Sequence, residues 1–190
     1  MSRQIEFFYD IGSPYSYFAA TRMEEVARDT GLPVVWRPFL LGGVFKASGN
    51  QPPVAVAARA PYLVKDVKRC SAQLGVPFRM PAHFPTNSLV AMRALAGMQA
   101  AELPAASLKL FRAYWYDGAD VSSPDIVASV IGSEAAARAN DDAVKQKLKE
   151  SSEEAVRRGA FGAPTFFVGD ELFFGHDRIE QLKWWVATHK

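Results

Sequence analysis

The chain has 190 residues, 49% of them hydrophobic and 22% charged, enough for one large domain or a domain with a substantial insertion. A net charge of +2, with no basic run interleaved with aromatics, excludes nucleic acid as an expected partner. A single cysteine, Cys70, excludes an intrachain disulfide, and the scattered histidines His83, His176 and His189 lack metal-ligand spacing.

In chain order, Ile5, Phe7 and Tyr9 alternate with Glu6 and Phe8, the pattern of a buried strand. No apolar run reaches the length of a membrane span, and the first ten residues enter this strand where a secretory leader would stand. A cytoplasmic, metal-free protein with no membrane contact is therefore expected. Asp10-Ile11-Gly12 forms a turn, and Ser13-Pro14 reads as an N-cap serine with proline at the first helical position. Ala19, Met23, Val26 and Ala27 continue at helical spacing until Gly31. Free backbone N–H groups and a partial positive charge at such a helix start suit an anion, including a thiolate.

Val34 to Trp36 reads as a second strand ended by Pro38, parallel to the first because a helix connects them. Leu41 to Ala60 reads as a long loop rich in Gly, Pro and Ala, of the kind that is usually functional or mobile. From Pro61 to about Gly159 the pattern is helical throughout. Helices are expected over roughly 61 to 74, where Cys70 lies on the apolar stripe Leu63, Val67, Leu74 and reads as a core thiol, then from Thr86, from Pro104, from Pro124 to Gly132, and over about 141 to 158. The charges of the last of these read as a solvated face.

Thr165 to Val168 and Glu171 to Phe174 then form a hairpin about Gly169-Asp170. A final helix follows, with Asp177 and Glu180 spaced as a capping box and Ile179, Leu182, Trp185 and Val186 on its buried face. Pro164 must lie in the loop ahead of its strand, and a cis peptide is expected there. The order β-α-β, helical block, β-β-α implies a four-stranded mixed sheet with helices on both faces. The sheet domain is expected to comprise residues 1–60 and 160–190, with 61–159 as an inserted all-helical lobe.

Several segments in this order carry a resemblance: Phe8-Tyr9-Asp10 before Ser13-Pro14-Tyr15-Ser16-Tyr17, Gly43 to Lys46 with Gly49-Asn50, Phe161 to Thr165, and Gly175-His176-Asp177. Over nearly its whole length the chain resembles the 2-hydroxychromene-2-carboxylate isomerases and the related kappa-class glutathione transferases. These are α/β proteins of the thioredoxin-like fold with a helical insertion, close to the bacterial periplasmic disulfide oxidoreductases. Ser13 to Ser16 occupies the place of a thioredoxin-type Cys-x-x-Cys, so dithiol chemistry is absent.

The resemblance implies that glutathione is the cofactor. Ser13 would contact its sulfur, Ala163 would pair with its backbone, and Phe174, Gly175, His176 and Asp177 would hold its γ-glutamyl end. It also implies Lys46, Asn50 and Phe84 as contacts of a small-molecule substrate, and a homodimer. The isomerases carry an Asn-Arg pair further along the long loop, where this chain is apolar from Pro52 to Ala58. The residues alone leave second readings open: Ser13 and Asp177 as plain caps, His176 as a linker residue, Phe84 as lobe packing and Lys46 as a solvated lysine. The leading expectation is an isomerase of an unsaturated 2-oxo acid acting by thiolate addition, bond rotation and elimination. A kappa-like transferase or peroxidase, and a redox-inactive binder of thiol peptides, are the alternatives.

Overall fold

The computed structural model describes residues 3–189. Strand β1 (Ile5–Tyr9) leads through the Asp10–Gly12 turn into α1 (Pro14–Ala20), α2 (Met23–Thr30) and β2 (Val34–Pro38). Helices α3 (Leu41–Ser48), α4 (Ala60–Leu74), α5 (Leu89–Ala96), α6 (Leu103–Trp115), α7 (Pro124–Ile131), α8 (Ser133–Ala137) and α9 (Asp142–Arg157) follow. The hairpin β3 (Thr165–Val168) and β4 (Glu171–Phe174) and the helix α10 (Ile179–Thr188) complete the chain. The sheet order is β2-β1-β3-β4, with β1 parallel to β2 and antiparallel to β3, and β3 antiparallel to β4. This is the expected α/β, thioredoxin-like mixed sheet. No described helix is long and apolar enough to cross a membrane.

Both faces of β1 are covered, so the strand is apolar nearly throughout. Its pleat sends Ile5, Phe7 and Tyr9 into the larger core, which continues through α1, α2 and α10 into α4–α7. Phe7 stacks on Phe166 of β3 at 5.2 Å, and Tyr9 meets Phe111 of α6 at 5.8 Å. Phe8 points the other way, into a smaller core with Phe39, Val44 of α3, Ala155 of α9 and Phe167. Glu6, buried among these elements, is held by Arg37 at 2.8 Å and Arg158 at 2.6 Å.

Four expectations are corrected. The first helix is two: the Thr21 hydroxyl donates to the Phe18 carbonyl at 2.8 Å and interrupts the ladder, while the apolar stripe runs on through Met23 and Val26. The stretch from Leu41 to Ala60 is not all loop. It holds a 3-10 turn at Pro53–Ala55 and, before it, α3, which opens where a carboxylate from outside the segment, Asp10, accepts the Leu41 N–H at 2.8 Å. Gly42 and Gly43 conceal that helix from a propensity reading. Helix α5 starts at Leu89 rather than Thr86, behind an Asn87 side chain that accepts the Leu89 N–H at 3.1 Å. The capping box at the last helix does not form. Asp177 lies in a 3-10 turn, His176–Arg178, 3.2 Å from Arg178, and Glu180 pairs with Arg22 and Lys183. The short helix α8, unforeseen, follows directly on Gly132.

The helical lobe holds the turn before α1 at both ends of one residue: Met92 Sδ of α5 accepts the Ile11 N–H at 3.3 Å, and α6 supplies a donor for its carbonyl. Trp115 of α6, fully buried between Phe78 and Phe84, donates its indole N–H to the Ile11 carbonyl at 2.8 Å. Trp115→Phe leaves that buried carbonyl without its donor and should cost about 1–3 kcal/mol. The check is the free energy of urea unfolding, and an unchanged value would mean that the carbonyl finds another donor.

Candidate active site

Asp10 builds the site. Its buried carboxylate accepts the Gly12 N–H at 2.8 Å through Oδ1 and the Leu41 N–H at 2.8 Å through Oδ2. Burial pushes its pKa up, and these backbone bonds and the Ser88 hydroxyl oppose the rise. The turn so held presents Ser13, whose own N–H donates to the Asp10 carbonyl at 3.0 Å. Ser13 has the extended backbone of an N-cap (φ −99°, ψ 118°), and its Oγ accepts the Ser16 N–H at 3.2 Å.

The Ser13 hydroxyl then reaches across 150 residues of sequence to donate to the Ala163 carbonyl at 3.0 Å. The Ala163–Pro164 peptide is cis. Thr165 Oγ1 donates to the Gly162 carbonyl at 2.8 Å, and Gly175 N–H donates to the Pro164 carbonyl at 3.0 Å. A helix start and the bent loop at Pro164 therefore meet at one buried hydroxyl.

In front of them lies a cleft of about 410 Å³, walled by the start of α1, by α3, by residues 50–54, by residues 84–88 and by Phe161–Ala163. Phe45, Val54, Leu63 and Phe84 make much of its surface apolar. Phe161 and Phe174, their rings tilted by 49° with centroids 4.5 Å apart and about two-fifths exposed, stand at its edge. Among the described residues, Asp10 and Arg59 are the only charged ones lining it. A hydroxyl at a helix start, the backbone of the proline loop, an apolar wall and a cation suit a thiol peptide beside an apolar carboxylate.

A family model described as a DSBA-like thioredoxin domain matches residues 4–186. The chain belongs to that family. Within it, the chain is 30% identical over 205 residues to the glutathione S-transferase kappa 1 of Homo sapiens, covering 96% of this chain and 90% of that one. It is 29% identical over 187 residues to a 2-hydroxychromene-2-carboxylate isomerase of Pseudomonas putida, covering 94% and 92%. A solved structure of a 2-hydroxychromene-2-carboxylate isomerase superposes with a TM-score of 0.85 at 28% identity, covering 96% of this chain and 94% of the other.

In this DsbA-like chain the residues singled out from sequence fall into three places. Ser13, Ala163, Phe174, Asn50 and Phe84 line the cleft. Asn50 donates to the Phe161 carbonyl at 2.9 Å and straps the 50–54 wall to the proline loop, while Phe84 both lines the cleft and packs on Trp115. Gly175, His176 and Asp177 lie outside the cleft lining but adjoin it, through Phe174 and the Gly175–Pro164 bond. Lys46 is elsewhere: it lines a separate depression bounded by α3, α5 and α9. Arg59 is the cation of the cleft, one residue past the apolar run 52–58, and only its position just before α4 could have pointed to it.

His176 is no bare linker. Its ring packs edge-on to Tyr15 at 5.2 Å and to Phe18 at 5.6 Å, and its Nε2 lies 3.2 Å from Cys70 Sγ. Tyr15, which lines the cleft, donates to Asp66 at 2.7 Å. Burial, then the Asp66 and Asp177 carboxylates, pushes the Cys70 thiol up, so this cysteine is a weakly acidic packing residue.

Burial lowers the His176 pKa below its ordinary 6.5, Asp177 and Asp66 opposing and Arg22 adding to the fall. The folded ring thus binds its proton less tightly than the unfolded chain does. Stability from this group is complete above 6.5 and is lost as pH falls toward and through the folded value. Unfolding free energies at about pH 7.5 and about pH 5.5 should show a drop in the wild type that His176→Gln reduces. Equal drops in both proteins would place the acid sensitivity in other groups.

Proposed function

We propose that the cleft binds glutathione with its sulfur at Ser13, and that the thiolate isomerises an apolar, unsaturated 2-oxo carboxylic acid of the 2-hydroxychromene-2-carboxylate class. The observation that carries this reading is the Ser13–Ala163 hydrogen bond, which unites a helix start and the proline loop. A glutathione thiol has a pKa of roughly 8.5, so only a small fraction is ionised at neutral pH. The helix start and a hydroxyl donor favour the ionised form.

The Ser13 hydroxyl has one proton, given in this structure to the Ala163 carbonyl. A peptide pairing with the loop by strand addition offers that carbonyl its own N–H. The serine proton is then free to turn toward sulfur. Binding and activation are coupled by this exchange, and Ser13 acts as a donor rather than as a nucleophile.

The thiolate adds to the conjugated carbon–carbon double bond, forming a C–S bond and shifting the electron pair onto the oxo group as an enolate. The former double bond is now single and rotates. Return of the electron pair expels the thiolate, restores the double bond in the other geometry and regenerates glutathione. One hard step becomes two easier ones. Arg59, which lines the cleft, holds the substrate carboxylate, in place of the substrate contact that the resemblance implied for Lys46. The likeness to a kappa-class transferase favours a second reading, in which glutathione leaves as part of a product. Stoichiometric loss of glutathione during turnover would select it. Heat on mixing with substrate-free S-methylglutathione, without turnover of any thiol substrate, would favour a binding protein.

Ser13→Ala removes a hydrogen bond to a charged group, worth about 1.5–3 kcal/mol, so the pKa of bound glutathione should rise by about one to two units. Thiolate absorbance against pH in both proteins measures this, after unfolding curves have shown that the variant is folded. An unchanged midpoint would leave Ser13 as a helix cap. Arg59→Gln should raise KM for the carboxylate substrate about tenfold or more and leave glutathione affinity unaltered, as steady-state kinetics and calorimetry will show. Equal KM values would remove Arg59 from the substrate site.

A further inference from the structure

The depression that takes Lys46 has a volume of about 750 Å³ and lies on the other side of α3 from the cleft. Helix α3 turns Leu41, Gly42 and Phe45 to the cleft and Gly43, Lys46 and Ala47 to this groove. Leu89 of α5 with Leu148 and Val156 of α9 supplies apolar floor. The charges around it are five cations against one carboxylate, Glu153. Two of the cations are engaged, Lys145 with Asp142 at 2.8 Å and Lys149 with Glu153 at 3.8 Å. Among the described residues the other three, Lys46, Arg93 and Arg157, form no ion pair and carry a net +3 at the groove.

A solvated helix face places its charges along one helix and away from apolar surface. Here the unpaired cations come from three helices, α3, α5 and α9, and converge on one apolar floor. Converging like charges raise the local potential and attract an anion, and a half-buried apolar floor favours a ligand body that covers it. Inorganic anions satisfy only the first condition and neutral apolar molecules only the second.

We propose that the groove between α3, α5 and α9 binds an amphiphilic organic anion, an apolar body bearing a carboxylate. The site is separate from the catalytic cleft and does not rest on the glutathione reading. Octanoate is the probe, with 1-octanol as the body without charge and inorganic phosphate as charge without body. Octanoate should shift the methyl NMR signals of Leu89, Leu148 and Val156, with or without S-methylglutathione present. Its affinity should fall about tenfold in Lys46→Gln and in Arg93→Gln, and persist in Arg59→Gln. Arg157→Gln provides a third removal should either of the first two variants prove unstable.

Any of four results would overturn the proposal: methyl shifts confined to residues of the cleft, unaltered octanoate affinity in all three groove variants, octanol or phosphate binding as tightly as octanoate, or an octanoate-insensitive groove because a second copy covers it. The last is read by sedimentation, as a dimer that dissociates when Lys46 and Arg93 are changed to Glu.

Discussion

The carboxylate of Asp10 ties the end of the first strand to the starts of two helices. One oxygen takes the Gly12 N–H, which shapes the turn that delivers Ser13, and the other takes the Leu41 N–H, which opens α3. Two walls of the cleft thus hang on one side chain. Hydrogen bonds to a charged acceptor are worth about 1.5–3 kcal/mol each, against a substantial cost of burying the charge. Asp10 owes its raised pKa to that cost. Its role is to fix geometry, because removing it would leave two backbone donors of the turn and of α3 without acceptors.

The rest of the fold brings distant segments to this turn. The aromatic ladder of β1 works in both directions, with Phe7 and Tyr9 docking the helical lobe and Phe8 docking α3 and α9. Pairing of β1 with β3 sets Ala163, just ahead of β3, within hydrogen-bonding distance of Ser13. Trp115 secures the turn from the lobe side. Phe84 packs on the larger core and Ala163 belongs to the smaller one, so the cleft lies between walls that the two cores support from opposite faces of the sheet.

Much of this was legible in the chain. Strands β1, β3 and β4 follow from alternation and from Gly169-Asp170, and the start of α1 follows from Ser13-Pro14, because these signals act over a few residues. Where an element depended on a partner far away, the sequence misled. Helix α3 is capped by Asp10 and contains two glycines, so its local propensity is poor. Asp177 and Glu180 have capping-box spacing, yet Arg178 and Arg22 draw their carboxylates elsewhere. Of the candidate site, Ser13, Asn50, Phe84, Ala163 and Phe174 do line one cleft, whereas Lys46 turns to the opposite side of α3 once its segment is helical. Arg59 carried no motif and became visible only with the cleft around it.

By itself the sequence determined the order of the four strands, the serine at a helix start in place of a dithiol, and the proline loop ahead of a hairpin. Each is written in the φ/ψ preferences and side-chain spacing of neighbouring residues. Only the tertiary structure decided which cation enters the cleft, which side of α3 faces it, and that His176 packs against Cys70 and Tyr15. Those outcomes depend on one rotation of a short helix and on contacts between residues far apart in the chain. No local pattern encodes them, because the free energy that selects them is the burial of apolar surface shared among several elements.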